Sequence, residues 1–582
     1  MNPAQPRNCD ATGKVWRDSS DNTRGLGALP CYSYYSQTLG PTNWNLSTND
    51  WAAFSTVQWQ PRKLLVVSGG LRWEREQLPP PIAATVNMDL PSTEKLPSLG
   101  NDWGPRISMA LGNLERHWPV LRIGYGMYFG RTENATVETA LTQTGSANGD
   151  LNFFMRPTDD CQNCPGGAPP FPYVLRGPPG SQVKPGAVDF APSFRNPEVH
   201  QAVAALEETL PGHVELTASA VVSLGRRLPV SLDANLGVPT PTQTITYNVC
   251  DQAPTSANIG QCGNSGLGPI KAAQITLPFY ASIPSLGCPS GPSSYSAGQF
   301  GWCNPNYQQV DQYTSKANST YEAAVLKVVR YGRRGLTLHA HYTYAHAADW
   351  NPNQSPLNPS VLAGSDFSQE YGTSDQDMRH SAAAFVIYEP QWKLGGKARW
   401  AANGWMVSGI GQFHSGLPYT MRTSGSLAEQ FTSGGSPIVG LAPGMNGSGG
   451  DNRVYGMGSD NLNYAIGRNT YRYPPTWKAD VRLGKTFDLG QMRQLELLME
   501  SFNLFNHQNV TELETTGYYL ESGTPPSELG AAGSLPTLNF LTGPKNNATT
   551  GLATPAFGQP LNVNATDFYR ERQIQLGLRM RF

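Results

Sequence analysis

The chain has no long apolar run: nowhere do roughly 18 apolar residues follow one another, so no segment reads as a membrane-spanning helix. It is also poor in charge. Its 582 residues carry 42 Lys and Arg against 43 Asp and Glu, 15% in all, for a formal net charge of −1. No basic stripe or Lys/Arg cluster stands out, so a nucleic-acid partner is not indicated. The opening residues "MNPAQPRNCDATGKVWRDSSDN" hold neither an apolar segment nor a small-residue cleavage site and do not read as a signal peptide. Catalytic signatures are lacking as well. HExxH, GxSxG and the P-loop do not occur, and "GYGMYFG" lacks GxGxxG spacing, so the chain reads as a non-enzyme without a cofactor.

What is present is turn residues and alternation. There are 61 Gly and 48 Pro, which favour many turns and few long helices. Between the turns, apolar and polar residues alternate with the period of a strand. Leu65, Val67, Leu71 and Trp73 share one face of "RKLLVVSGGLRWE". Leu121, Ile123, Tyr125, Met127 and Phe129 share one face of "VLRIGYGMYFG", with Arg122 opposite. In "GLTLHAHYTYAHA", Leu336, Leu338, Ala340, Tyr342 and Tyr344 oppose Thr337, His339, His341 and Thr343. "WKADVRLGKTFDL" and "RQLELLMESFNLF" form a pair across "GQM". The chain closes on "QIQLGLRMRF", where Ile574, Leu576, Leu578, Met580 and Phe582 alternate with polar residues. These segments run about ten to thirteen residues, longer than the five or six typical of soluble strands. A tilted strand crossing a bilayer needs about nine to eleven. Because such strands alternate lipid-facing and lumen-facing side chains, low average hydropathy is compatible with a membrane.

The connections alternate too. "LGNLERHWP", "RYGRRG" and "LGQM" are tight, whereas those near 132–196, 228–318, 348–376, 415–475 and 506–568 are long. Loops of that length are rare in compact soluble domains and expected on the outer side of a transmembrane barrel. Cys161, Cys164, Cys250, Cys262, Cys288 and Cys303 fall in the long connections, and Cys9 and Cys31 precede them. Their even number and short spacings point to loop disulfides between Cys161 and Cys164, Cys250 and Cys262, and Cys288 and Cys303. A zinc site at "DDCQNCPG" would need two more ligands that no second CxxC or nearby His pair supplies. Trp51, Trp59, Trp73, Trp118, Tyr128, Phe129, Trp405, Trp477, Tyr569 and Phe582 sit near strand ends, where headgroup-level aromatics belong.

From about Trp51 to Phe582 the chain resembles the barrel region of Oar-like TonB-dependent receptors of the acidobacterial type. The resemblance rests on "VQWQPRKLLVVSGGLRWE", "WGPRISMALG", "LRIGYGMYFGR", "GRRLP", "YEAAVLKVVRYGRRGLTLHAHYTYAHAAD", "DMRHSAAAFVIYEP", "GWMVSGIGQFHSGLPYT", "DVRLGKTFDL", "ESFNLFNHQN" and "RQIQLGLRMRF". Its most specific elements are Phe502, Asn503, Phe505 and Asn506 of "FNLFNHQN" and the Phe-terminated final strand; Asp377, Arg379 and His380 of "DMRH" also match. The resemblance implies an all-β, antiparallel transmembrane barrel of about 22 strands with long extracellular loops and a plug inside it. It further implies outer-membrane lipid as surroundings, uptake driven by the TonB complex, and recognition of the terminal residues by the barrel-assembly machinery. About 14 strands can be counted here, and no plug, regulatory module or TonB box is recognisable before Trp51. Residues 1–50 therefore read as a loop or partial-strand region and 51–582 as the barrel. The chain is expected to be an N-terminally truncated fragment that inserts poorly alone and engages TonB only with the missing plug.

The remaining motifs are weaker. His339 and His341 share a strand face and are expected to be lumen-facing polar side chains more than metal ligands. "DWNPNQ" begins like a calcium loop but lacks the later Gly and Glu. The charges of "DMRH" are expected at a strand entrance, salt-bridged or lumenal. The functional expectation is capture and uptake of an extracellular ligand, whether carbohydrate, peptide or metal chelate. The alternative is a non-transporting surface or secreted β-protein, such as an adhesin or carbohydrate-binding module. An outward apolar belt separates the two, since a sandwich turns its apolar faces inward.

Overall fold

The structure is a computed structural model. It describes residues 35–155, 174–235, 304–350, 371–419, 469–515 and 556–582, apart from short gaps within these ranges, together with isolated strands elsewhere. Thirteen strands form one continuous antiparallel path: β1 (Asn49–Arg62), β2 (Leu65–Gln77), β3 (Leu99–Asn113), β4 (Trp118–Phe129), β5 (Glu198–Leu210), β6 (Val214–Asp233), β7 (Val310–Arg330), β8 (Leu336–Trp350), β9 (His380–Tyr388), β10 (Trp405–His414), β11 (Thr476–Gly490), β12 (Arg493–Phe502) and β13 (Gln573–Arg581). Each pairs with its sequence neighbours, so the order in the sheet is the order in the chain. Two short strands join off this path, Ala187–Phe190 beside β7 and Tyr371–Thr373 beside β8. Among the described residues, β1 and β13 are the sheet's unpaired edges.

Register carries one apolar face across the whole path. Trp59 lies opposite Val67, and Val67 opposite Met109. Met109 faces Ile123, which faces Ala204. The row continues through Ala220, Ala324 and Tyr344. It resumes at Val386 opposite Gly409, Gly409 opposite Val481, Leu483 opposite Met499 and Met499 opposite Leu576. Side chains alternate faces with period two, so one slip would turn this whole face over. The face is open rather than packed: Trp59, Ile107, Leu326, Val407, Met499 and Leu576 are all exposed.

The two ends of the sheet differ. At one end β1–β2, β5–β6, β7–β8 and β11–β12 close through a few residues each. Gly335 makes the β7–β8 turn possible: its φ is +77° and an added Cβ would lie 2.0 Å from the Glu389 carbonyl. At the other end the chain leaves for far longer excursions, as between Phe129 and Glu198 or Asp233 and Val310. The core of the molecule sits at this loop end, where Leu99, Val137, Leu141, Phe190, Phe194 and Tyr313 pack together. The strand pattern did not disclose α1 (Asn134–Thr142), whose Val137, Ala140 and Leu141 belong to that core.

Candidate functional site

The loop end is built from fixed bodies, and the first is the α1 core. The short strand Ala187–Phe190 runs parallel to the start of β7. Phe190 meets Phe194 edge-on at 4.9 Å and Tyr313 at 5.2 Å. A polar spine crosses it: Asn87 Nδ2 donates to the Thr144 carbonyl (2.6 Å) and the Tyr307 hydroxyl (2.8 Å), and the Thr85 hydroxyl donates to the Leu141 carbonyl at 2.6 Å. Burial pushes the Tyr307 hydroxyl and the Asp189 carboxyl above their usual ranges. The connections after β2, β4 and β6 are thus cemented to one another rather than hanging free.

A second body centres on Asp377, whose side chain is fully buried. It accepts from the Ala347 backbone N–H at 2.6 Å, from Arg379 Nε at 3.0 Å and from Arg472. His346 Nδ1 lies 3.2 Å away. Burial alone would raise this carboxyl, but the Ala347 amide, Arg472, Arg379 and His346 outweigh it and hold it below the usual carboxylate range. Arg472 also donates to the Asp377 and Gly416 carbonyls at 3.0 and 3.2 Å. One carboxylate thereby ties the connection before β9 to the two ends of the connection between β10 and β11. His380, its neighbour in "DMRH", is not in the clamp; its Nδ1 meets the Tyr342 hydroxyl at 2.7 Å.

The "FNLFNHQN" segment follows β12 and has a definite local role. Asn503 and Asn506 hold φ of +48° and +53°, a conformation asparagine tolerates better than most residues. Asn503 Nδ2 donates to the carbonyls of His507 and Arg570, both at 2.9 Å, while its Oδ1 accepts from the His507 N–H at 3.0 Å. Asn506 Oδ1 accepts from the Arg572 N–H at 2.9 Å. These bonds fold the chain back on itself and aim the approach to β13. Phe502 and Phe505 are exposed, and Phe505 lies 5.7 Å from Trp477. Beside this turn is a half-open cavity of about 180 Å³ lined by Lys478, Asp480, Asn503, Phe568 and Arg570 among others. Lys478 pairs with Asp480 at 3.3 Å and sits 4.0 Å over the Phe568 ring.

A further aromatic group stands nearby. The two-residue strands Pro418–Tyr419 and Tyr471–Arg472 pair, bringing Tyr419 onto Tyr471 in a stack of 5.7 Å. Tyr473 meets Tyr419 at 5.2 Å, and Phe557 meets Tyr471 at 5.0 Å. Burial pushes the hydroxyls of Tyr419 and Tyr471 up. Half-buried rings held by a clamp offer a preformed apolar platform with hydroxyl edges. Reading the sequence missed this cluster, because its members lie far apart in the chain and only β10 and β11 bring them together.

A family profile described as "Outer membrane beta barrel domain" matches residues 26–575. The chain belongs to that family. Its apolar face is therefore the lipid-facing wall of an outer-membrane barrel. No curated protein matches the sequence. Among solved structures, the barrel is similar to the outer membrane transporter YddB from Escherichia coli, at 8% identity and a TM-score of 0.40, covering 91% of this chain and 45% of that one. It is also similar to the ferric-catecholate import receptor Fiu from E. coli K12 (10% identity, TM-score 0.35, 81% and 42% covered). A third is the siderophore receptor PirA from Acinetobacter baumannii (9% identity, TM-score 0.36, 86% and 46% covered). The chain spans less than half the length of each of these structures.

The barrel places the residues singled out by sequence in different quarters. Ile574, Leu576, Leu578 and Met580 line the outer face of edge strand β13, and Phe582 is 87% exposed at the turn end. Leu338 and His339 lie on opposite faces of β8, and His339 stacks on Phe385 at 4.5 Å on the polar side. Cys161, Cys164, Cys262, Cys288 and Cys303 lie outside the described residues, and of Cys250 only the backbone is described.

Proposed function

We propose that this barrel is the membrane portion of an Oar-like TonB-dependent receptor that captures an extracellular ligand at its loop end and passes it inward. The observation that carries this reading is the combination of a lipid-facing wall with long loops built into fixed bodies at the end opposite the tight turns. Fixed loops cost little ordering entropy on binding, which suits capture. The Tyr419, Tyr471, Tyr473 and Phe557 rings supply a stacking surface, and the Lys478–Asp480 pair beside the cavity supplies charges of both signs. That mixture suits a ligand with an apolar or sugar-ring face and polar substituents. Lipid does not tolerate the free amides of β1 and β13, so in this reading further strands complete the wall and a plug presents the segment that TonB pulls.

Uptake in the native organism tests this. Cells with and without the gene, and cells lacking TonB, would be compared for accumulation of labelled oligosaccharides, oligopeptides and ferric chelates. The expected result is one class of probe whose accumulation falls equally in both mutants. Recovery of the protein in the secreted fraction, with accumulation of every class unchanged, would favour the adhesin-like alternative.

A further inference from the structure

One connection at the turn end is built unlike its neighbours. The β9–β10 link runs from Glu389 to Gly404, whereas β11 and β12 are separated by only two residues. Within it lies the short helix α2 (Gly396–Ala402). The link is closed on itself: the Trp392 N–H donates to Asn403 Oδ1 at 2.7 Å, and Asn403 Nδ2 donates back to the Trp392 carbonyl at 3.0 Å. It is then fastened to the outside of the wall. Lys485 of β11 stands on the lipid-facing side, opposite Trp405 on one neighbour and Leu497 on the other. A lysine there would be costly if left alone. Instead it is only 6% exposed, and Nζ donates to the carbonyls of Trp400 (3.1 Å), Ala401 (2.9 Å) and Asn403 (2.5 Å). These are orphan carbonyls at the C-terminal end of α2, where a cation is favoured. Trp405 Nε1 adds a bond to the Ala401 carbonyl at 2.9 Å, and the Trp400 ring meets Phe487 at 4.8 Å.

The exposed surface of this link is apolar and basic. Trp392 is 56%, Leu394 46% and Trp400 58% exposed, with Lys393 and Arg399 exposed among them. From Pro390 to Asn403 the sequence has Lys393, Lys397 and Arg399 and no acidic residue. The patch continues the aromatic edge of the lipid-facing wall through Trp405, Phe487 and Tyr388. Half-apolar tryptophans with lysine and arginine between them match the headgroup layer, where rings sit among acyl carbonyls and cations meet phosphates. Since the link lies against the wall that lipid covers, its outer side meets lipid at that depth.

We propose that residues 390–403 form an interfacial platform that binds the phosphate headgroups of phospholipids in the turn-side leaflet, with a preference for anionic lipids. Lys485 is the staple that holds the platform against the barrel.

The test reconstitutes the protein, purified from outer membranes of the native organism, in phosphatidylcholine vesicles with and without phosphatidylglycerol. Quenching of tryptophan by lipids brominated near the headgroup is compared with quenching by acrylamide, for wild type and Trp392→Phe/Trp400→Phe. The expected result is that the double variant loses shallow bromolipid quenching and little acrylamide quenching. Lys393→Glu/Arg399→Glu, on exposed positions, is expected to reduce retention of phosphatidylglycerol by the purified protein roughly fivefold or more. Lys485→Met should lower bromolipid quenching while heat-modifiable migration still reports a folded wall. Acrylamide-accessible Trp392 and Trp400 with equal lipid retention in all variants would overturn the proposal, and a periplasmic protein would become the occupant of the patch.

Discussion

Replacing Asp377 by alanine should release two long connections while leaving the sheet intact. The carboxylate has four neighbours, and they do not contribute equally. The Ala347 N–H, bonded at 2.6 Å, would be left without its acceptor beside a buried site, a loss of about 1–3 kcal/mol. Arg379 and Arg472 are 33% and 31% exposed, so water recovers much of their lost pairing and each counts for only about 0.5–1 kcal/mol. His346, 43% exposed, adds little. The sum is about 3 kcal/mol, which corresponds to roughly a hundredfold larger population of the open loop. The ladders of β8 with β7 and β9 do not involve the carboxylate, so global unfolding should shift much less. Trypsin reads this directly, since the backbone around Arg379 and Arg472 can enter a protease cleft only when the clamp opens. Initial cleavage at these two sites should accelerate by about two orders of magnitude at unchanged heat-modifiable migration. Asp377→Asn, which keeps the shape and loses the charge, should fall between. Equal cleavage rates in wild type and Asp377→Ala would show that the clamp does not hold the loops.

The same clamp should respond to pH with a definite sign. Because the folded carboxyl lies below its unfolded range, its stabilisation is complete above about pH 4 and is lost as pH falls through the lower folded value; tryptic cleavage at Arg472, measured after brief acid exposure with an acid-stable protease as control, checks it. On the lipid-facing wall the cost of arginine should follow depth. Leu326, four residues from the turn end of β7, lies about 10 Å inward along a tilted strand, so Leu326→Arg should cost about 2–4 kcal/mol in denaturant titrations in vesicles. Leu338→Arg, nearer the turn, should cost about 0–1 kcal/mol and His339→Arg on the polar face no more. Asn503→Ala removes three hydrogen bonds and puts alanine at a φ of +48°, and should lower stability by about 3 kcal/mol in the same titration. Peptide mapping under oxidising conditions should recover Cys250 linked to Cys262 and Cys288 linked to Cys303; free thiols throughout would refute the pairing.

The facing of the strands was legible in the sequence because it depends on local periodicity. Leu336 to Tyr344 alternate with their neighbours whatever the rest of the chain does, and a sheet of sequence-neighbour strands keeps that alternation on one wall. The tight turns were legible for the same reason, since glycine at a position such as Gly335 answers to its own φ and the nearest strand. "DMRH" announced charges at a strand entrance, but not that Asp377 would be capped by Arg472, which lies 95 positions away. Nor could α1 be told from another loop, because its Val137 and Leu141 are buried against Phe190 and Tyr313, which come from distant parts of the chain. Lys485 shows the difference most sharply. In sequence it is a polar interruption of "VRLGKTF" on an apolar face; only the arrival of the Trp400, Ala401 and Asn403 carbonyls explains it. Periodicity determined which side of each strand meets lipid. Which loops, rings and charges meet one another was decided by tertiary structure, because those contacts join residues whose separation along the chain carries no repeating signal.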